Sequence, residues 1–171
     1  SADGMPVVSH DRCIGCGSCV SVCGSSAITY QSAVEQTTEL LGSGSKVAAI
    51  VDPTISGEFP DITDYRKFME MIRTLGFDYV CEVSFGVDLV ARKYHELLGN
   101  FKGKYYLGSN CPTLVGYVEK FYPELTGNLA PIVTPMTAMA KVVRKAYGKD
   151  LKVVFIGPCL AKKDEAASLG T

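Results

Sequence analysis

The 171-residue chain sets 17 Lys and Arg against 18 Asp and Glu, a formal net charge of -1, and 47% of its residues are apolar. That is enough to bury a substantial core, which excludes a disordered or fibrous chain. With no basic excess and no long run of like charge, neither nucleic acid nor an anionic membrane surface is expected as a partner. The longest apolar runs, Val47 to Val51 and Leu151 to Ile156, fall far short of the ~20 residues a bilayer needs, and no charged leader precedes an apolar segment. An unexported, cytoplasmic protein is expected. Ser1 to Gly4, ahead of Met5-Pro6, read as a processing scar without a part in the fold.

In chain order, Val7 to Tyr30 is rich in Cys and Gly, with only short apolar pairs such as Val7-Val8 and Ala27-Ile28. Apolar burial cannot hold residues 5–30 together, so something else must. Gln31 to Leu41 has helical character, with Val34, Leu40 and Leu41 among Glu and Gln, and Gly42-Ser43-Gly44-Ser45 breaks it, which marks 31–45 as a helical linker. From 46 to 171, short apolar runs alternate with amphipathic stretches. Lys46 to Val51, Asp78 to Ser84, Lys104 to Leu107 and Leu151 to Ile156 read as strands. Asp64 to Leu75, Gly86 to Leu98, Cys111 to Phe121 and Pro135 to Tyr147 read as helices. Apolar strands alternating with helices predict an α/β fold, a parallel sheet flanked by helices. Ligands of such sheets gather at the carboxyl ends of the strands. There stand Asp52-Pro53, Ser84-Phe85-Gly86, Ser109-Asn110-Cys111-Pro112 and Gly157-Pro158-Cys159.

Seven Cys is an odd number, and four of them crowd into eleven positions. That suits reduced thiolates on a metal in a cytosolic, anaerobic setting better than a secreted disulfide framework. Cys13, Cys16, Cys19 and Cys23 follow the spacing C-x2-C-x2-C-x3-C, the bacterial ferredoxin run for a 4Fe-4S cubane, and Gly15 and Gly17 let the backbone curl so that its amides point at sulfide. Tetrahedral zinc sites instead pair two C-x2-C knuckles far apart. In two-cluster ferredoxins the fourth Cys of the run serves the other cluster. Three alternatives therefore stand here: Cys23 closes the cluster, the site holds three irons, or a second motif lies elsewhere. Gly24 occupies the position where the run usually has Pro. Cys81, inside an apolar strand, reads as a small buried hydrophobe, and His10 and His95 as surface or packing residues.

Three further segments follow in order. They are Ser109-Asn110-Cys111-Pro112 with the stretch to Leu125, Ala130-Pro131-Ile132-Val133-Thr134-Pro135-Met136, and Gly157-Pro158-Cys159-Leu160-Ala161-Lys162-Lys163-Asp164-Glu165. Together with the ferredoxin run they resemble the iron-only (FeFe) hydrogenase family of H2:acceptor oxidoreductases, whose first two active-site signatures read T-S-C-C-P and M-P-C-x-x-K-x-x-E. The resemblance implies one lobe of that family's catalytic domain behind a ferredoxin-like segment. It also implies, in the complete protein, the H-cluster: a cubane joined through a Cys thiolate to a two-iron subsite carrying carbonyl and cyanide. By the same resemblance Cys111 and Cys159 are two of the cubane's four ligands, Lys162 donates to an iron-bound cyanide, Thr134 places a hydroxyl near the other, and Glu165 and Glu96 extend a proton path.

The sequence departs from the catalytic pattern at Asn110, where catalytic members carry a proton-relaying Cys. An amide cannot ionise near neutral pH and so cannot pass a proton as a thiol does. Pro131 replaces a relay serine and Met136 a Gln. These substitutions are similar to those of the family's sensory branch, in which turnover is slow. The third signature, with two more Cys, is absent from the 171 residues, so a truncated chain that does not turn over alone is expected. The expected function is that of an iron-sulfur protein whose parent couples H2 and proton chemistry to electron transfer in a hydrogen- or redox-sensing role. An electron-transfer partner is implied, with either a signalling output domain or the missing lobe. The competing expectation is a ferredoxin-type electron carrier on a non-catalytic α/β scaffold.

Overall fold

The computed structural model describes residues 7–59, 64–103 and 105–168. In chain order the elements are α1 (Ser18–Val22), α2 (Val34–Gly42), β1 (Val47–Val51), α3 (Tyr65–Thr74), β2 (Tyr79–Glu82), α4 (Ser84–Gly99), α5 (Pro112–Phe121), α6 (Pro135–Tyr147), β3 (Lys152–Ile156) and α7 (Ala161–Ser168), with 3-10 turns over Pro53–Glu58 and Pro123–Asn128. Contacts sort the chain into two compact units. A sheet unit comprises Gln31–Lys102 and Ile132–Pro158; a cysteine-bearing unit takes the chain up to Tyr30, Gly103–Pro131, and the chain from Cys159 on.

In the sheet unit the strands run parallel in the order β2-β1-β3. Ala48 stands opposite Tyr79 and Val51 opposite Glu82 on one side, and Val47 opposite Lys152 and Val51 opposite Ile156 on the other. Because side chains alternate across a strand, the five buried residues of β1 divide between two cores. Val47, Ala49 and Val51 meet Ile55, Phe68, Ile72, Phe77 and Val80. Ala48 and Ile50 meet Val83, Met136, Met139, Val143 and Leu151. A strand buried on both faces must be apolar throughout, and VAAIV is. Leu40 and Leu41 of α2 pack on the first core, so the segment 31–45 adds apolar burial to the sheet unit.

The helices end where their chemistry changes. The Asp64 carboxylate accepts from the Arg66 amide at 2.9 Å and starts α3, which turns Phe68 and Ile72 inward. Thr134 caps α6, Pro135 fills its first turn, and Gly148 at φ 124° follows its last residue. The Asp78 carboxylate accepts from the Val47 amide at 2.7 Å, tying the turn before β2 to the start of β1.

One expected strand does not form. Of Lys104 to Leu107, Lys104 lies outside the described residues, and the remainder makes only an isolated bridge between Leu107 and Leu129 in the cysteine-bearing unit. The Leu107 amide donates to Asn128 O at 2.7 Å and Leu107 O accepts from the Ala130 amide at 2.8 Å. Tyr105 and Tyr106 are exposed. So short a run, facing water, has no second apolar face to bury in a sheet. Cys111 is therefore not at the end of a sheet strand.

Tyr65 carries a prediction. Among the described residues its buried hydroxyl has no hydrogen-bond partner, and burial, then the Glu82 and Asp52 carboxylates, push it up to about 12. A folded-state value above the ordinary 10 means that the fold disfavours the phenolate: Tyr65 leaves stability level below pH 10, and stability falls as pH rises from 10 through about 12. Tyr65→Phe should flatten the alkaline loss of stability in a pH series of thermal melts, at unchanged or slightly raised stability at pH 7. A steeper alkaline loss would contradict the assignment.

Candidate metal centre

The cysteine run folds as a loop followed by the short helix α1. The Arg12 and Cys13 amides both donate to the Ser9 carbonyl, at 3.1 and 2.8 Å. Gly15 and Gly17 then adopt φ of 68° and 77°, a left-handed backbone that costs a residue with a Cβ roughly 1–2 kcal/mol. Gly17 caps α1, which holds Cys19 and ends at Cys23. The Gly15 amide donates to Cys13 Sγ at 3.5 Å. Cys16 Sγ lies 3.3 Å from Ser18 Oγ and Cys23 Sγ 3.6 Å from Ser25 Oγ. These hydroxyls draw both thiols below their ordinary value, toward the thiolate that binds metal.

The glycines are required for a second reason. A Cβ on Gly15 would stand 2.8 Å from Asp164 Oδ2 and 3.3 Å from Ala161 Cα, and one on Gly17 would stand 2.8 Å from Leu160 Cδ1. The loop thus rests on the chain immediately after Cys159. That chain turns into α7, with Cys159 O accepting from the Lys162 amide at 3.3 Å. Cys111 caps α5 from an extended backbone, with Pro112 in the first turn, and its carbonyl accepts from the Val115 amide at 3.1 Å. The Cys111 and Cys159 thiols are exposed, and α5 packs on α7.

One unit therefore holds six of the seven cysteines: Cys13, Cys16, Cys19, Cys23, Cys111 and Cys159. Among the described residues no three His, Cys, Asp or Glu side chains form a group that could hold a single metal ion, so these thiols are not gathered on one mononuclear centre. The donor set of the N-terminal loop fits a 4Fe-4S cluster. It is all sulfur, every thiol is free, the spacing is the ferredoxin one, and the left-handed glycines give the backbone the curl that turns amides toward sulfur.

Lys162 and Glu165, one turn apart on α7, form an ion pair at 2.8 Å with side chains only 11% and 13% exposed. Charges so far out of water are kept only when paired. Asn110 is exposed beside Cys111. Thr134 lies in the sheet unit, where its Oγ1 accepts from the Thr137 amide at 3.4 Å as the cap of α6. Cys81 also lies there, half-buried in β2, and burial pushes its thiol up. Glu96 is a solvated residue of α4 paired with Lys93 at 2.7 Å, and His10 and His95 are exposed.

Sequence reasoning missed Lys120. Its ammonium donates to His10 O at 2.8 Å and to Cys13 O at 2.6 Å, across separations of 110 and 107 residues that no local pattern encodes. Next to it the Arg12 guanidinium lies over the Phe121 ring, 5.8 Å from its centroid.

Two family profiles match the chain: "Iron only hydrogenase large subunit, C-terminal domain" over residues 45–170, and "4Fe-4S binding domain" over residues 6–29. Among curated proteins the chain is 26% identical to the NADP-reducing hydrogenase subunit HndD of Solidesulfovibrio fructosivorans, over 91% of the chain and 31% of that protein. It is 32% identical to Iron hydrogenase 1 of Clostridium pasteurianum, over 58% of the chain and 19% of that protein. It is 24% identical to the cytosolic Fe-S cluster assembly factor NAR1 of Yarrowia lipolytica, over 94% of the chain and 37% of that protein. The chain thus spans between about a fifth and just over a third of the length of these relatives.

Proposed function

The chain belongs to the iron-only hydrogenase family, and we propose that it is the electron-transfer segment and first catalytic lobe of a longer protein that senses hydrogen or redox state. In this reading Cys13, Cys16, Cys19 and Cys23 ligate one 4Fe-4S cluster, with Cys23 closing the set. Such a cluster supplies reversible one-electron transfer. Cys111 and Cys159 contribute two ligands to the H-cluster cubane of the longer protein, Lys162 offers its ammonium to an anionic ligand there, and Glu165 holds that ammonium in place. For Thr134, the cap of α6 in the sheet unit, the hydroxyl role rests on the family resemblance alone.

Asn110 carries the preference for sensing over fast turnover. It stands directly before Cys111, on the exposed start of α5, where proton transfer to the second centre would need a titratable group. An amide has none. The crowding of four cysteines into the spacing C-x2-C-x2-C-x3-C, which suits thiolates on a metal better than a disulfide framework, supports a reducing, cytoplasmic compartment. The likeness to an assembly factor supports a second reading, an iron-sulfur protein of the same fold without hydrogen chemistry.

The test uses the longer protein, matured anaerobically. Hydrogen turnover should be near background while the redox state of its clusters responds to hydrogen. Asn110→Cys should raise turnover by about 10²-fold, the lower end of what a positioned acid-base group contributes. Unchanged turnover in that variant would remove the relay argument. Clusters indifferent to hydrogen would favour the second reading.

A further inference from the structure

We propose that Lys120 is a positioning residue for the N-terminal cluster: its ammonium clasps the Cys13 loop to α5 and sets a positive charge beside the cluster, raising the cluster's reduction potential. The inference rests on the reading that Cys13, Cys16, Cys19 and Cys23 are the ligands.

Two carbonyls of one turn converge on one ammonium. His10 O and Cys13 O lie 2.8 and 2.6 Å from Lys120 Nζ, and hydrogen bonds from a charged donor are about twice as strong as neutral ones. Lys120 sits in the last turn of α5, beside carbonyls of its own helix. It is spent instead on a loop more than a hundred residues away in sequence. Its neighbour Phe121 meets Arg12 from that same turn, so two adjacent residues of α5 hold His10, Arg12 and the first ligand Cys13.

The electrostatic sign follows. The negative ends of the His10 and Cys13 carbonyl dipoles would oppose an added electron nearby, and the ammonium offsets them. Reduction adds one negative charge to the cluster, and net charge and hydrogen bonding around it are what set iron-sulfur potentials. A cation at this place favours the reduced form. Glu119, next along α5, is also exposed and carries an opposite charge without touching the loop in any described contact, which makes it the control for the general field of the helix surface.

The wild-type chain, Lys120→Gln, Lys120→Arg and Glu119→Gln are reconstituted with iron and sulfide, and the reduced signal is followed by EPR through a redox titration. Lys120→Gln should lower the reduced-to-oxidised ratio at fixed poise by three- to tenfold, about 30–59 mV for one electron. Its cluster should also lose iron to a chelator severalfold faster, while Lys120→Arg stays near wild type. In the iron-free chain, amide exchange at Arg12 and Cys13 should quicken in Lys120→Gln alone. Unchanged potential in Lys120→Gln, or a Glu119→Gln shift equal in size and opposite in sign, overturns the positioning role. A wild-type chain that takes up no iron overturns the ligand reading, and unchanged amide exchange then overturns the clasp separately.

Discussion

The Cys13→Ser chain, reconstituted anaerobically with iron and sulfide, should retain no stable cluster, whereas the wild-type chain should take up about four irons and give a reduced cubane EPR signal. The effect is all-or-none because the iron ligand is a thiolate, and a serine hydroxyl neither ionises near neutral pH nor matches iron and sulfide in softness. Cys16→Ser and Cys19→Ser should behave alike. Cys23→Ser is the diagnostic substitution: Cys23 ends α1 at the far end of the loop, and if it closes the set its loss should leave a three-iron species visible in the oxidised state. Three controls bound the result. Cys81→Ser alters a half-buried thiol of the sheet unit and should leave iron uptake unchanged. Cys111→Ser and Cys159→Ser remove exposed thiols that this cluster does not need. Full iron and signal in Cys13→Ser would move the ligands elsewhere, and a Cys23→Ser chain that depends on Cys111 or Cys159 would name the true fourth ligand.

What could be read beforehand follows the range of the interactions. β1 was legible because a strand buried on both faces must be apolar at every position, and Val47–Val51 is. α6 was legible to its bounds because Thr134-Pro135 and Gly148 are start and stop chemistry. The pairing of Lys162 with Glu165 is an i,i+3 contact, within reach of a local pattern. The segment around Leu107 was not, since a four-residue run has too little periodicity to separate a sheet strand from a lone bridge. Nor could local pattern bring Gly103–Pro131 and the chain from Cys159 together with the N-terminal loop. That grouping rests on Lys120 reaching two carbonyls, on Leu160 against Gly17, and on Asp164 against Gly15. The motif spacing of the cysteines told what they could bind; the long-range contacts tell what holds the loop that carries them.

The sheet unit has its own tight point, and Gly86→Ala should lower its stability by about 1–3 kcal/mol. Gly86 is buried in the first turn of α4. A Cβ there would fall well inside 3.0 Å of the Pro135 carbonyl oxygen and 3.1 Å from Met139 Cβ, and the nearest atom is backbone, which cannot swing aside. Relief requires α4 and α6 to part, opening the core that Val83, Met136, Met139 and Val143 share. Alanine would otherwise gain up to about 1 kcal/mol over glycine within a helix, so a net loss means that the clash outweighs that gain. Gly99, at the other end of α4, has nothing within 4 Å of its Cβ position, and Gly99→Ala should be neutral or stabilising by up to about 1 kcal/mol. For a domain of this size the loss at Gly86 corresponds to a fall of roughly 5–20 °C in Tm, read by calorimetry on both variants. The consequence reaches Thr134, because the atom displaced belongs to the first residue of α6 and Thr134 is the residue before it. A Gly86→Ala chain as stable as the wild type would mean that the two helices separate at no cost, and that the position of Thr134 is not set by their contact.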